Sequence, residues 1–433
     1  MGSDFLERRF DLSGHGTSVR REAVAGLTTF LAMAYITVVN PSILSQAGMD
    51  FGAVFVATCL AAAIGSLIMG LAANYPVALA PGMGQNAFFT YGIVLGSGHP
   101  WQTALGAVFV SGLIFVALSL LPIREWLINS IPRNLKHGMA AGIGLFLAFI
   151  ALQNAGVAVA NPATLVSFGH LAAFAPAAAL VGFFVIAALA SRGHSGAIII
   201  GILAVSAVAW LAGQAEFHGI AAPPPSLAPV FAQFDLAGVF DLAMLSVIFT
   251  LLLVDVFDTA GTLVGVEQLA AGGDADGKLP RLRGALLADS SATVIGAVAG
   301  TSPTTSYIES AAGVESGGRT GLTAVVVAAL FLLCLVFAPL AQSVPPYASA
   351  AALLFVAVVM ARSLSDVDWR DLTESAPAAL TAVAMPLSFS IADGIGAGFI
   401  SYAAIKLLSG RPQECPAAVY LVATVFLVKF AAL

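Results

Sequence analysis

Leu79-Ala80-Pro81-Gly82-Met83-Gly84-Gln85-Asn86-Ala87-Phe88-Phe89 and Gly300-Thr301-Ser302-Pro303-Thr304-Thr305-Ser306-Tyr307-Ile308-Glu309-Ser310 each set proline, glycine and hydrogen-bonding side chains inside an otherwise apolar run. Proline removes a backbone N–H and glycine weakens a helix, so both runs are predicted to unwind there. The surrounding chain of 433 residues is 59% apolar and 9% charged, with a mean hydropathy of +0.96. A soluble domain carries roughly a quarter charged residues, so a water-solvated globule is excluded and lipid is the main solvent. Unwound backbone at membrane depth survives only where protein or a cavity satisfies it. Two such breaks at matching places therefore predict a midplane binding site.

Outward from the breaks, apolar runs bounded by Gly, Pro or charge predict crossings at about 23–45, 52–74, 78–96, 101–121, 135–153, 172–191, 195–213, 240–266, 283–300, 303–316, 319–342, 346–361, 375–391 and 393–409. The expected fold is an all-α polytopic membrane protein of about 14 spans. None of the runs alternates as a barrel strand does. A further run, 416–432, is a fifteenth crossing or a re-entrant or interfacial segment, unless 375–409 is one broken element. Cations cluster before the first span (Arg8, Arg9, Arg20, Arg21) and after the fourth (Arg124, Arg133, Lys136), sixth (Arg192), eighth (Lys278, Arg281, Arg283), tenth (Arg319), twelfth (Arg362, Arg370) and fourteenth (Lys406, Arg411). By the positive-inside rule this predicts a multi-pass protein of the cell (inner) membrane with a cytoplasmic N-terminus. Only Lys429 breaks the pattern. The arm Met1 to Glu22 shows no small-residue cleavage site, so the first run is read as a retained span.

The longest polar connection, with Pro223, Pro224, Pro225 and Pro229 and no Lys or Arg, lies at 216–239 and is expected outside. It separates a first half, 1–215, from a second, 240–433. Seven crossings per half force opposite insertion, the arrangement of inverted repeats. The breaks fall about 58 and about 63 residues into their halves.

Acids at membrane depth cost a few kcal/mol on insertion scales and are rarely idle. Asp255 and Asp258, three apart in the eighth span, share a helix face, and Glu309 stands where the half-helix after the second break should begin, favoured there by the positive dipole end. These acids, with Asp289 and Asp393, can instead pair with hydroxyls or backbone and merely fix packing. Gln85 and Asn86 can bond across helices or present a donor and an acceptor to a planar ligand. Phe88 and Phe89 lie beside the first break and Phe257 beside Asp258. No cation lies inside a candidate core span, so the expected ligand is neutral, flat and rich in N–H groups, which describes a nucleobase.

Enzyme readings fail on context. Gly82-Met83-Gly84-Gln85-Asn86-Ala87 fits a loose dinucleotide fingerprint but has no strand-turn-helix unit around it. Gly193-His194-Ser195-Gly196 sits at a turn beside Arg192, and no histidine lies deep in a span to act as base. An intramembrane aspartyl protease using Asp258 and Glu309 is the alternative from another class. No phosphate-cradling loop, basic stripe for nucleic acid, disulfide framework or zinc site is present, the three cysteines (Cys59, Cys334, Cys415) being widely spaced and the net charge -6.

Both break segments, together with Asp255-Val256-Phe257-Asp258-Thr259-Ala260-Gly261-Thr262, Thr28-Thr29-Phe30-Leu31-Ala32-Met33-Ala34-Tyr35-Ile36 and Ile391-Ala392-Asp393-Gly394, resemble the AzgA-like adenine/guanine/hypoxanthine permeases of the nucleobase-ascorbate transporter superfamily. The resemblance implies 14 spans in two inverted repeats. A core is built from spans at 23–121 and 240–342, a gate from spans at 135–213 and 346–433, and the protein is a homodimer through the gate. It implies substrate contacts at Asp258, Glu309 and Asn86, with Thr262 steadying the eighth-span acid; Gln85, Ile308 and Phe88 complete the expected set. The expected activity is purine uptake by proton symport with an elevator-type core movement. Asp258 or Asp255 would carry the proton, with sodium as the less favoured coupling ion and no cofactor or metal. A relative of the same fold carrying uracil, xanthine or a small anion is the runner-up.

Overall fold

The computed structural model describes residues 2–120, 131–270 and 282–432; Arg124, Lys278, Arg281 and the side chain of Phe257 lie outside the described residues. Nine helices among the described residues are long and apolar enough to cross a bilayer, from Val19–Ala47 and Phe51–Ala73 to Pro346–Asp366 and Ile391–Leu408. Ala197–Leu211 is a shorter apolar helix, and Leu372–Ser388 is the helix found where the thirteenth span is expected. The eighth is a 29-residue helix, Leu242–Ala270.

Local sequence explains where these helices start. Asp50 caps the second span by accepting from the Ala53 N–H at 2.7 Å, and Asp371 caps the thirteenth through the Thr373 N–H at 2.8 Å. The eleventh span is capped by its own Thr320, which accepts from the Leu322 N–H at 3.4 Å, and borrows a second cap. Glu22, fully buried in the first span, accepts from the N–H groups of Arg319, Thr320 and Thr323 and from the Thr323 hydroxyl. A carboxylate thereby satisfies donors at the start of a helix it does not belong to.

The third and tenth spans are not continuous helices. Leu79–Pro81 and Thr304–Ser306 are short strands that pair antiparallel, with Leu79 opposite Ser306, Ala80 opposite Thr305 and Pro81 opposite Thr304. The Gly82 N–H bonded to the Pro303 carbonyl and the Tyr307 N–H bonded to the Ala78 carbonyl extend the pairing. Each unwound segment thus supplies the hydrogen-bond partners the other lacks, which is why neither can exist alone in lipid. Beyond the first strand come a half-helix, Met83–Ala87, and a widened, π-type stretch, Phe88–Gly96; beyond the second comes only Ser310–Glu315. The apolar run expected at 303–316 is therefore a strand and six helical residues.

Packing sorts the spans into two bodies. The second span packs on the ninth and eleventh, the first on the tenth and eleventh, and the fourth on the eighth and ninth. Separately, the fifth packs on the twelfth and thirteenth, and the twelfth on the sixth and seventh. These are the core and gate of a mostly helical membrane fold. Both bodies close through glycine. A Cβ on Gly321 would fall on the Gly70 carbonyl, and one on Gly138 would meet the Ala378 backbone at 2.6 Å. Backbone cannot move aside as a side-chain tip can, so Gly321→Ala should separate the second and eleventh spans and lower the melting temperature of the detergent-solubilised protein. A melting curve unchanged by the extra methyl would show that this crossing tolerates displacement.

The C-terminal region resolves into three helices. Leu372–Ser388 and Ile391–Leu408 form a hairpin about Phe389, whose φ is 55°. Buried Lys406 pairs with Glu374 and Glu414, each at 2.8 Å, while Arg411 meets Asp371, so the two open ends lie together. The reading of 375–409 as a single broken element is therefore replaced by two antiparallel helices. Ala417–Ala432 then runs back along the fourteenth span, and Lys429 meets Asp393 at 2.8 Å, satisfying the one cation that broke the charge pattern.

Candidate functional site

Three side chains around the second break reach open space. Asp258, midway along the eighth span, is exposed; Ile308 is 48% exposed; Glu309 is half-buried. The eighth span packs on both the strand Thr304–Ser306 and the half-helix Ser310–Glu315, which places Asp258 and Glu309 within Coulombic range of each other. Glu309 accepts a hydrogen bond from the Tyr35 hydroxyl at 2.7 Å. It stands just before a helix of six residues, so Tyr35, rather than a long helix dipole, is its partner.

The other acids are enclosed. Asp255, 3% exposed, accepts from the Gln85 amide at 3.0 Å and the Thr293 hydroxyl at 3.2 Å. Asp289 accepts from the Thr259 hydroxyl at 2.6 Å, the Ser306 hydroxyl at 2.7 Å and the Ser306 N–H at 2.8 Å. Both tie the eighth and ninth spans to the broken ones. The helical spacing that puts Asp255 and Asp258 on neighbouring positions thus divides them, one turned to the third-span half-helix and the ninth span and the other facing open space. Asp393, partly exposed at the start of the fourteenth span, is paired with Lys429.

The remaining expected contacts lie behind this surface. Gln85, Asn86, Phe88 and Thr262 are all buried. Gln85 serves Asp255, and Asn86 donates to Asn40 at 3.1 Å. Each amide nevertheless keeps a buried side-chain oxygen without a hydrogen-bond partner, Oε1 of Gln85 and Oδ1 of Asn86. A buried acceptor left open is costly, so these two oxygens are the points at which the first break retains capacity to bind.

Asn40 is the residue that reading the sequence passed over. Its amide nitrogen donates to the hydroxyls of Thr58 and Thr301, both at 2.8 Å, and its oxygen accepts from Asn86 and from the Ser302 hydroxyl at 3.3 Å. Every hydrogen-bonding position of the side chain is in use. It joins the first, second and third spans to the tenth-span break. The signal was Asn40-Pro41 inside an apolar span, the same pairing of amide and proline that marks the first break.

A core and a gate separated by a seam, with acids at a double break, describe a carrier rather than a catalyst. The family model Xan_ur_permease, described as Permease family, matches residues 20–396. The chain belongs to this permease family. It is 50% identical over 99% of its length, and 96% of the relative's, to the adenine permease AdeP of Escherichia coli K12. It is 44% identical to the guanine/hypoxanthine permease PbuO of Bacillus subtilis 168, over 97% of this chain and 99% of that one. Among solved structures it resembles the transmembrane domain of the cyanobacterial bicarbonate transporter BicA, with a TM-score of 0.67 and 16% identity, covering 88% of this permease and 97% of that chain. At that identity the likeness concerns the fold alone.

Proposed function

We propose that this permease carries purine nucleobases (adenine, guanine or hypoxanthine) across the cell inner membrane, N-terminus inside, by proton symport, as a dimer through the gate. The observation that carries the reading is the open pair Asp258 and Glu309 beside Ile308, at the one level where both halves unwind. Carboxylates accept N–H bonds from a neutral base, and Ile308 offers an apolar face to its ring. The named activities of the relatives AdeP and PbuO agree with this chemistry.

Asp258 rather than Asp255 is assigned the proton, because Asp258 alone of the two reaches open space while both oxygens of Asp255 are occupied. The core then slides against the gate. Gly84 lies on that seam: a Cβ there would meet the Ile143 side chain of the fifth span at 2.5 Å. Uptake of labelled hypoxanthine, competed by adenine, guanine, uracil and xanthine, tests the substrate class. Uptake should rise on acidifying the outside and persist without sodium. Strict dependence on sodium at constant pH would overturn proton coupling.

Asn86→Ala should change the order in which bases compete, since it removes an amide whose oxygen is open and whose hydrogens steady Asn40. An unaltered competition profile would confine Asn86 to packing.

A further inference from the structure

The first span leads away from Glu309. Tyr35, which bonds that carboxylate, begins a helical face that continues through Val39, Ser42 and Gln46 at spacings of three and four residues. Val39, Ser42 and Gln46 line a cavity whose far wall is gate: Asn154 at the end of the fifth span, and Pro346 and Ser349 at the start of the twelfth. The cavity has room for about one water molecule, far less than a base needs. The hydroxyl of Ser349, a residue only 6% exposed, has no hydrogen-bond partner.

One hydrogen-bonded chain closes the end of this face. The Tyr91 hydroxyl donates to Oε1 of Gln46 at 3.1 Å and accepts from the Asn154 amide at 3.0 Å. Gln46 and Tyr91 belong to the core and Asn154 to the gate, so this is a bond across the seam along which the two bodies would move. Phe389, at the tip of the thirteenth-fourteenth hairpin, packs edge-on against Tyr91, Phe146 and Phe149 and backs the closure. The Pro-rich connection lies on this same side, where Pro225 reaches Gly52 and the His218 N–H bonds the Ser343 hydroxyl, beside the start of the twelfth span.

We propose that the Tyr91–Asn154 bond shuts the outer mouth of the substrate path. The cavity behind it is then a collapsed entry subsite for a flat, neutral, hydrogen-bonding heterocycle. The proposal rests on the permease reading of the Asp258–Glu309 site. When the core moves, Gln46 on the core wall and Asn154 and Ser349 on the gate wall are released together as donors and acceptors, with Val39 and Pro346 as apolar surface beside them. An arriving base meets them before it reaches Glu309, which Tyr35 links to the same helix face.

Thiol labelling tests this. In protein whose Cys59, Cys334 and Cys415 are replaced, Ser349→Cys is exposed in whole cells to a membrane-impermeant thiol reagent. Labelling should be slow in that protein and roughly threefold to tenfold faster when Tyr91→Phe or Asn154→Ala is added, the factor expected for loss of one neutral hydrogen bond. Tyr91→Phe keeps the ring that packs on Phe389, so the fold survives the change. Adenine or hypoxanthine should slow the accelerated labelling. Equal rates with and without both substitutions would overturn the closure, and acceleration that no base slows would overturn the subsite. Protection by a pyrimidine but by no purine would support the subsite while removing the purine reading of the central site.

Discussion

Glu309→Gln and Asp258→Asn should each weaken purine binding by about tenfold to a hundredfold while leaving the protein folded. A hydrogen bond to a charged group contributes roughly 1.5–3 kcal/mol, and each 1.4 kcal/mol is a factor of ten. Both substitutions preserve shape. Asp258 faces open space, and Glu309 is held by a single hydroxyl, Tyr35, which an amide oxygen can still accept from. The two should differ in one respect. If Asp258 carries the proton, Asp258→Asn also abolishes the dependence of uptake on external pH, whereas Glu309→Gln retains it at reduced affinity. Binding of adenine, guanine and hypoxanthine to purified protein, together with uptake across a pH series, separates the effects. Purine affinity close to that of the parent in both variants would refute the assignment of the site.

Asn40→Leu should cause the largest loss of stability among the substitutions considered. Four hydrogen bonds disappear at once, and at about 0.5–1.5 kcal/mol each the loss is roughly 2–6 kcal/mol. Thr301, Ser302 and Asn86 would be left as buried polar groups inside the double break, where no water is at hand to replace the amide. The expected result is poor membrane expression and a clearly lowered melting temperature. Asn40→Asp, which keeps the acceptor that serves Asn86 and Ser302 but loses both donors, should fall between the two. Equal melting temperatures for the parent and Asn40→Leu would show that the network does not hold the breaks together.

The outcome at Asp255 and Asp258 shows where linear reading stops. Spacing of three put them on one helix face, and composition made both costly, but a helix face is wider than a contact. Asp255 takes bonds from Gln85 of the half-helix and Thr293 of the ninth span, while Asp258 faces open space. Gln85 and Asn86 were legible as amides at a break, but not as partners of an acid on the eighth span and an asparagine on the first. Lys429 looked like an exception only because its partner, Asp393, is 36 positions away.

By itself, the sequence determined the solvent, the spans and the two places where they break, because hydropathy, proline and glycine act locally and are read residue by residue. It also determined the inventory of acids and amides at membrane depth, since their cost of insertion does not depend on what they later touch. Tertiary structure alone decided which acid stays open and which is enclosed, that Asn40 holds the breaks together, and that Tyr91 and Asn154 meet across the seam. Those are pairings between distant segments, and a hydrogen bond exists only once folding has brought donor and acceptor within about 3 Å.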